Sequence, residues 1–224
     1  MVRHGQPEWT PGGICVDDPG LTELGWEQAE RIGATLAKES FDFVYVSPLK
    51  RAQQTASPIV ERLEPEPHTL PWLAELGHRS LEGRPEVEAE EYFAALTGRD
   101  LECWWDGPPG GESFHRFDRR VRTGIEELLV EEHRARIHRD DQHRVWQCPE
   151  RDVRLLIVAH GGTIGVLISY LFDLDTVPWM YERFKMGFGG ISRVATSAIA
   201  DGATWSLRAF NERAHLHGLP DPPG

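Results

Sequence analysis

Cysteine is scarce in this chain. The three present, Cys15, Cys103 and Cys148, are odd in number and form no CxxC pair. That argues against a disulfide framework and suits a reducing compartment. Long apolar runs are missing too: the longest, such as Leu155 to Ala159, are far too short to span a bilayer. The opening Met-Val-Arg-His-Gly lacks the apolar centre of a secretory signal. A cytoplasmic protein that does not enter membranes is expected. Basic residues are outnumbered, with 24 Lys and Arg against 36 Asp and Glu and a formal net charge of -12. Such a balance speaks against general affinity for nucleic acid or anionic membrane surfaces. It does not exclude an anionic substrate, because a few arginines in a pocket outweigh a distant average. Internal repeats are also lacking.

What is present fits one globular domain. With 224 residues and 40% hydrophobic residues, the chain can bury a substantial core without disulfides or structural metal. The stretch Leu21-Thr22-Glu23-Leu24-Gly25 opens a helix with Thr22 as N-cap, and Ala29, Ile32, Leu36 and Ala37 recur at helical spacing. Phe41 to Val46 is a short β-prone run. Arg51 to Leu63 reads as a second helix that Pro58 should distort. A proline-rich irregular stretch, 64–71, precedes helices over Glu86 to Leu96 and from Phe114 to about Leu129.

The segment 131–152 is charged, histidine-rich and poorly periodic, and is expected to be a solvated loop extension. Its His133, His138 and His143 lack the close pairing with carboxylates that a zinc site needs. Val153 to Ala159 is a buried strand, Ile164 to Phe172 a helix, and Ser192 to Ala198 with Thr204 to Ala209 a hairpin about Asp201-Gly202. This alternation predicts an α/β fold, a three-layer α/β/α sandwich with a mostly parallel central sheet. One domain over 1–217 is expected, with a cap-like helical insertion at about 84–112 over the site and a flexible tail at 218–224.

Chemistry gathers at the strand ends. His160 closes a buried strand and precedes Gly161 and Gly162, where ligands of open α/β sheets bind and where a helix N-terminus favours an anion. Arg3-His4-Gly5 sets a guanidinium beside another imidazole. Ser47-Pro48-Leu49-Lys50-Arg51-Ala52 puts a second arginine just past a short strand. Arginine matches phosphate oxygens bidentately, and imidazole can attack phosphorus as a neutral base.

These residues resemble the histidine phosphatase superfamily, the phosphoglycerate mutase-like branch 1. The likeness rests on Arg3-His4-Gly5, the 21–25 stretch with Gln28-Ala29, Ser47 to Ala56, Gly110-Gly111-Glu112-Ser113, Val158-Ala159-His160-Gly161-Gly162, and Asn211 with His215-Leu216, all in the family's order. The resemblance implies a phosphoglycerate mutase-like fold with His4 as the nucleophile and Arg3, Arg51 and His160 around the phosphoryl oxygens. Two guanidiniums and an imidazolium would then supply the positive field, with no metal or cofactor. Gly5 and Gly161 would admit close backbone approach, and Gln6 and Thr10 would line the phosphate site.

A leaving alkoxide needs a proton. In the family's acid-bearing stretch Glu75 aligns with the acid and Glu82-Gly83 with its end, while Arg79 and Leu81 depart from the pattern. Glu112 is the competing acid, although Glu112-Ser113 also reads as a plain helix start. Trp104, Trp105, Trp179, Tyr181 and Phe184 could shape a pocket, but the default for such residues is core. His215 is expected to support the fold or the pocket.

The stretch after Arg-His-Gly, Trp9-Thr10-Pro11-Gly12-Gly13, does not reproduce the asparagine-rich sequence of a dedicated mutase. The expected substrate is therefore a small phosphomonoester that is hydrolysed. Mutase-type transfer and a catalytically silent binding protein remain open, and the tryptophan content raises the question of a homodimer. Only Met1 and Val2 precede Arg3, so the first strand is expected to be stunted or the natural start to lie upstream.

Overall fold

A computed structural model of the chain describes residues 1–77, 81–140, 143–149 and 151–220. His78, Arg79 and Ser80 of the acid-bearing stretch, and 221–224 of the expected tail, lie outside the described residues. The strands are β1 (Val2–Arg3), β2 (Phe43–Val46), β3 (Pro67–Thr69), β4 (Arg136–Asp140), β5 (His143–Gln147), β6 (Leu155–Ala159), β7 (Ile191–Ile199) and β8 (Gly202–Glu212). The helices are α1 (Glu23–Leu36), α2 (Lys50–Val60), α3 (Glu86–Thr97), α4 (Phe114–Glu127), α5 (Gly161–Leu171) and α6 (Met180–Arg183). No helix among the described residues is long and apolar enough to cross a membrane.

The strands form one sheet of order β3-β2-β6-β1-β7-β8-β5-β4. It is a mixed sheet. The expected parallel pairing holds from β3 through β2 and β6 to β1, whereas β7, β8, β5 and β4 continue antiparallel. Connection length decides the difference. The β7–β8 and β4–β5 links are each two residues long, and a parallel crossover needs a dozen residues or more.

Two apolar layers flank the sheet, and strand alternation sorts side chains between them. Val44 and Val46 of β2 and Leu156 and Val158 of β6 face α1 and α2, joining Ile32, Leu36, Ala52, Ala56 and Ile59. Tyr45, Ile157 and Ala159 point to the opposite face, against Phe117, Val121, Ile125, Ile164, Leu167 and Ile168 of α4 and α5. Both expected N-caps are made: Thr22 Oγ1 accepts the Gly25 N–H at 2.9 Å and Ser113 Oγ that of Arg116 at 3.3 Å. Helix α2 runs on through Pro58 but ends at Val60 rather than at Leu63.

One expectation is overturned. The 131–152 segment is not a loop: it holds the β4–β5 hairpin, which joins the sheet edge through the pairing of Trp146 with Ala203. Trp146 is fully buried against Tyr170 and Trp205. His133 is also buried, its Nε2 2.9 Å from the Tyr45 hydroxyl. A charged residue, Arg144, fills the other buried position of β5, paired with Asp173 and the Tyr170 carbonyl, which hides the strand's alternation and makes the segment read as a charged loop.

The loop after β1 packs directly on α1. A Cβ at Gly5 would lie 2.5 Å from the Gly25 carbonyl oxygen, and one at Gly25 would collide with the carbonyl oxygen of Gln6. The close backbone approach expected at Gly5 is that of α1. Gly25→Ala should therefore destabilise the protein by about 1–3 kcal/mol despite alanine's better helix propensity. Urea unfolding midpoints check this, and an unchanged or higher midpoint would mean that α1 can shift without strain.

Candidate active site

Three neighbouring parallel strands end level with one another. Val2 pairs with Val158 and Arg3 with Ala159, while Val46 pairs with Val158 from the other side. The residues that follow, His4, His160 and Ser47, therefore leave the sheet side by side at its carboxyl end, with Arg51 in the first turn of α2. His4 and His160 are buried, with ring centroids 5.0 Å apart.

The His4 ring is oriented by backbone. Its Nδ1–H donates to the Gly5 carbonyl at 2.7 Å, which leaves a lone pair on Nε2. The Arg51 Nε–H points at that Nε2 from 3.3 Å. The His4 N–H donates to Ala159 O at 3.0 Å, and its carbonyl accepts from Gly189 N–H at 3.1 Å. Burial, with Arg51 and Arg3 adding, holds the His4 pKa well below 6.5, so the imidazole is neutral. His160 is likewise held well below 6.5, by burial first and then by His4, Arg51, Arg3 and Arg120. The sequence reading made His160 an imidazolium; in the ligand-free site it is neutral, because a third cation beside two arginines is unfavourable in a buried place.

Arg3 donates through Nη1 to the Met186 carbonyl and lies 4.1 Å over the Phe188 ring. Its pKa is pushed down to about 10 by burial, against the pull of Glu75. Arg51 lies beneath Trp9, 4.9 Å from the ring centroid, with Asp18 Oδ1 at 3.6 Å from Nη1. Burial lowers the Arg51 pKa, and Glu75, Asp18 and Asp17 pull it back up. Arg3 Nε, Arg51 Nη1 and His160 Nδ1 are buried and have no hydrogen-bond partner among the described residues. Three such nitrogens on residues at neighbouring strand ends suit an oxyanion with several oxygens.

Helix α5 starts at Gly161, three residues before its expected start at Ile164, so Gly161 and Gly162 form its first turn. Glu75 Oε2 accepts the Gly162 N–H at 2.8 Å. A Cβ on Gly162 would fall 2.7 Å from Glu75 Oε1, so this glycine makes room for the carboxylate. At Gly161 a Cβ would meet the Arg3 side chain only at 3.6 Å, an ordinary contact.

Arg3, His4, Arg51, Glu75, His160 and Gly161 thus come together. Glu112 is turned elsewhere: its carboxylate is held by Arg120 at 2.6 and 3.2 Å. Thr10 donates to Glu86 Oε1 at 2.9 Å on an exposed loop. Gln6 is tied to α1, its N–H donating to Gln28 Oε1 at 2.8 Å and its Oε1 accepting from the Thr22 hydroxyl at 2.9 Å. The aromatic residues 104, 105, 179 and 184 are half-buried and Tyr181 is exposed, so they are not deep core. Glu82 is not merely solvated, since its carboxylate accepts the Asp17 N–H at 2.5 Å.

Sequence reasoning missed Asp18 and Phe188, which belong to no strand or helix and reach the site by loop geometry alone. The C-terminal motif, by contrast, has a visible purpose. Asn211 Oδ1 accepts the Gly187 N–H at 3.0 Å, and His215 Nε2 lies 3.0 Å from the Gly189 carbonyl. Both hold the loop that presses Phe188 on Arg3 and bonds His4. Among the described residues no cluster of three or more His, Cys, Asp or Glu side chains is arranged to hold a metal ion.

Comparison with known proteins agrees with this geometry. The sequence profile of the histidine phosphatase superfamily (branch 1) matches residues 1–213. The adenosylcobalamin/alpha-ribazole phosphatase of Salmonella typhi is 30% identical over 225 residues, covering 96% of each chain. A 2,3-bisphosphoglycerate-dependent phosphoglycerate mutase of Azorhizobium caulinodans is 30% identical, covering 88% of this chain and 92% of its own. Among solved structures, a mycobacterial glucosyl-3-phosphoglycerate phosphatase superposes with a TM-score of 0.70 at 27% identity, over 95% of this chain and 97% of that one.

The two buried imidazoles link stability to pH. Unfolded, each takes up a proton near 6.5, whereas in the fold each stays neutral well below that value. Below pH 6.5 the unfolded chain therefore binds more protons. Stability is complete above that pH and falls as pH drops, by up to about 1.4 kcal/mol per pH unit for each ring. The ligand-free melting temperature should drop between pH 7.5 and 5.5, and less steeply in His160→Gln. A flat profile in both proteins would contradict neutral burial.

Proposed function

Because the chain belongs to the histidine phosphatase superfamily, we propose that it is a phosphomonoesterase that works through a phosphohistidine on His4. The observation that carries this reading is the His4 ring itself. Its Nδ1–H is committed to the Gly5 carbonyl, and its Nε2 lone pair faces the Arg51 guanidinium, with Arg3 and His160 close by. A substrate dianion would set its non-bridging oxygens against Arg3 Nε, Arg51 Nη1 and His160 Nδ1, which have no hydrogen-bond partner among the described residues. The long Arg51 contact to Nε2 would then yield to a shorter one with phosphate.

In the first step Nε2 bonds to phosphorus as the ester P–O bond breaks, and protonated Glu75 gives its proton to the leaving oxygen. In the second, the Glu75 carboxylate takes a proton from water as that water attacks phosphorus. The P–N bond breaks, inorganic phosphate leaves and neutral His4 returns. Guanidinium charge and positioning supply the catalysis, so the scheme uses no metal. Glu75 is favoured over Glu112 as the acid because Glu112 is paired with Arg120.

Hydrolysis is favoured over transfer within a retained bisphosphate. Asp17 and Asp18 oppose the burial-driven fall in the Arg51 pKa, so both carboxylates stand near the site. Acidic groups there suit a substrate with one phosphate group and repel a second anion. Mutase-type transfer is the second reading, supported by the similarity to phosphoglycerate mutases.

A panel of phosphomonoesters tests this. Wild type should release phosphate and yield an acid-labile phosphoenzyme that His4→Ala lacks. Glu75→Gln should lower kcat roughly 100- to 10,000-fold for alkyl phosphates, and less for p-nitrophenyl phosphate, whose leaving group needs no proton. Equal losses on both would remove Glu75 from the acid role. Conversion of phosphoglycerate to its isomer faster than to free phosphate would replace hydrolysis by transfer.

A further inference from the structure

Ser47 belongs to the strand-end cluster but has no place in the mechanism above. It is fully buried, as is His160, and its Oγ lies 2.6 Å from His160 Nε2. That oxygen already has one donor, because the Leu49 N–H points at it from 3.3 Å. The backbone of Ser47 is pinned on both sides. Its N–H donates to the Val158 carbonyl at 3.0 Å, and its carbonyl accepts from Gln53 Nε2 at 2.6 Å. Turning the hydroxyl away would give up both of its contacts, the short one to His160 Nε2 and the Leu49 N–H.

A serine hydroxyl carries a single proton and can also accept. The Leu49 N–H takes one of the two Ser47 Oγ lone pairs. Among the described residues no acceptor other than His160 Nε2 is hydrogen-bonded to the hydroxyl, so only a proton aimed at Nε2 is satisfied in this buried place. A neutral imidazole that accepts at Nε2 must carry its own hydrogen on Nδ1. Nδ1 is the buried nitrogen without a hydrogen-bond partner among the described residues, on the ring beside His4. The opposite tautomer would turn a lone pair toward the phosphoryl oxygens and repel them. On the reading of His4 as a phosphoryl acceptor, we propose that Ser47 is a positioning residue. It fixes the Nδ1–H tautomer of His160, so that a neutral ring donates to a phosphoryl oxygen. His160 then binds the dianion without first taking up a proton, in keeping with its burial beside two arginines.

The tautomer is read directly in 15N-histidine-labelled protein at pH 7.5 by two-bond nitrogen–proton correlation, which needs no turnover. Wild type should show His160 protonated at Nδ1 and bare at Nε2, both alone and with inorganic phosphate. Ser47→Ala should lose that preference, bind inorganic phosphate more weakly and lower kcat about 10- to 100-fold. Ser47→Thr, which keeps the hydroxyl, should recover most of each. An Nε2–H ring or an imidazolium in wild type overturns the proposal, as does a Ser47→Ala protein whose tautomer and phosphate affinity match wild type. If Ser47→Ala fails to fold, Ser47→Thr and wild-type spectra decide alone, by the tautomer they show. A wild type with the stated tautomer and phosphate affinity but no hydrolysis would count against the phosphatase reading and leave the role of Ser47 standing.

Discussion

The site depends on one register. Val46, Val158 and Val2 lie abreast in three parallel strands, so the chain leaves the sheet at one level three times. Each exit delivers a functional group: Ser47 and then Arg51 after β2, His160 after β6, Arg3 and His4 at the end of β1. A slip of one residue in any pair would turn that strand's side chains to the opposite face and misplace the group it carries. The apolar alternation of Val44, Tyr45 and Val46 against Leu156, Ile157 and Val158 sets the register, because each face has its own helix layer to fill.

Concentrating cations in a buried place is unfavourable by itself, and the structure shows how it is tolerated. Burial depresses the pKa of both arginines, and carboxylates oppose that shift: Glu75 for Arg3, and Glu75, Asp18 and Asp17 for Arg51. The two imidazoles contribute no charge, since each is held neutral. Nitrogens on Arg3, Arg51 and His160 remain without a hydrogen bond among the described residues, and each such donor costs about 1–3 kcal/mol. A phosphoryl dianion bound there, as proposed, would satisfy them together and recover that loss.

Support for His4 comes from distant parts of the chain. Gly25 of α1 admits the backbone of Gln6, just past His4, without a clash. Asn211 and His215, two hundred residues away in sequence, hold the loop whose Gly189 N–H bonds the His4 carbonyl. Several motifs that look separate along the sequence therefore serve one purpose, to fix the backbone on both sides of one imidazole.

Taken alone, the sequence determined the elements whose signals are local. Thr22 and Ser113 cap the helices they were expected to cap, the apolar run ending at Ala159 is a central strand, and the residues His4, Arg3, Arg51 and His160 were legible from strand ends followed by glycine or a helix start. Tertiary structure decided what depends on partners remote in sequence. The 131–152 segment became a hairpin because Trp146 has a sheet edge to join, and the sheet turned antiparallel beyond β1. Glu75 rather than Glu112 stands among the site residues because only Glu75 meets the start of α5, while Arg120 holds the other. Periodicity and caps act within a few residues, so they are written in the sequence. Register across a sheet, ion-pair choice and the protonation state of a buried imidazole arise only where distant segments meet and exclude water.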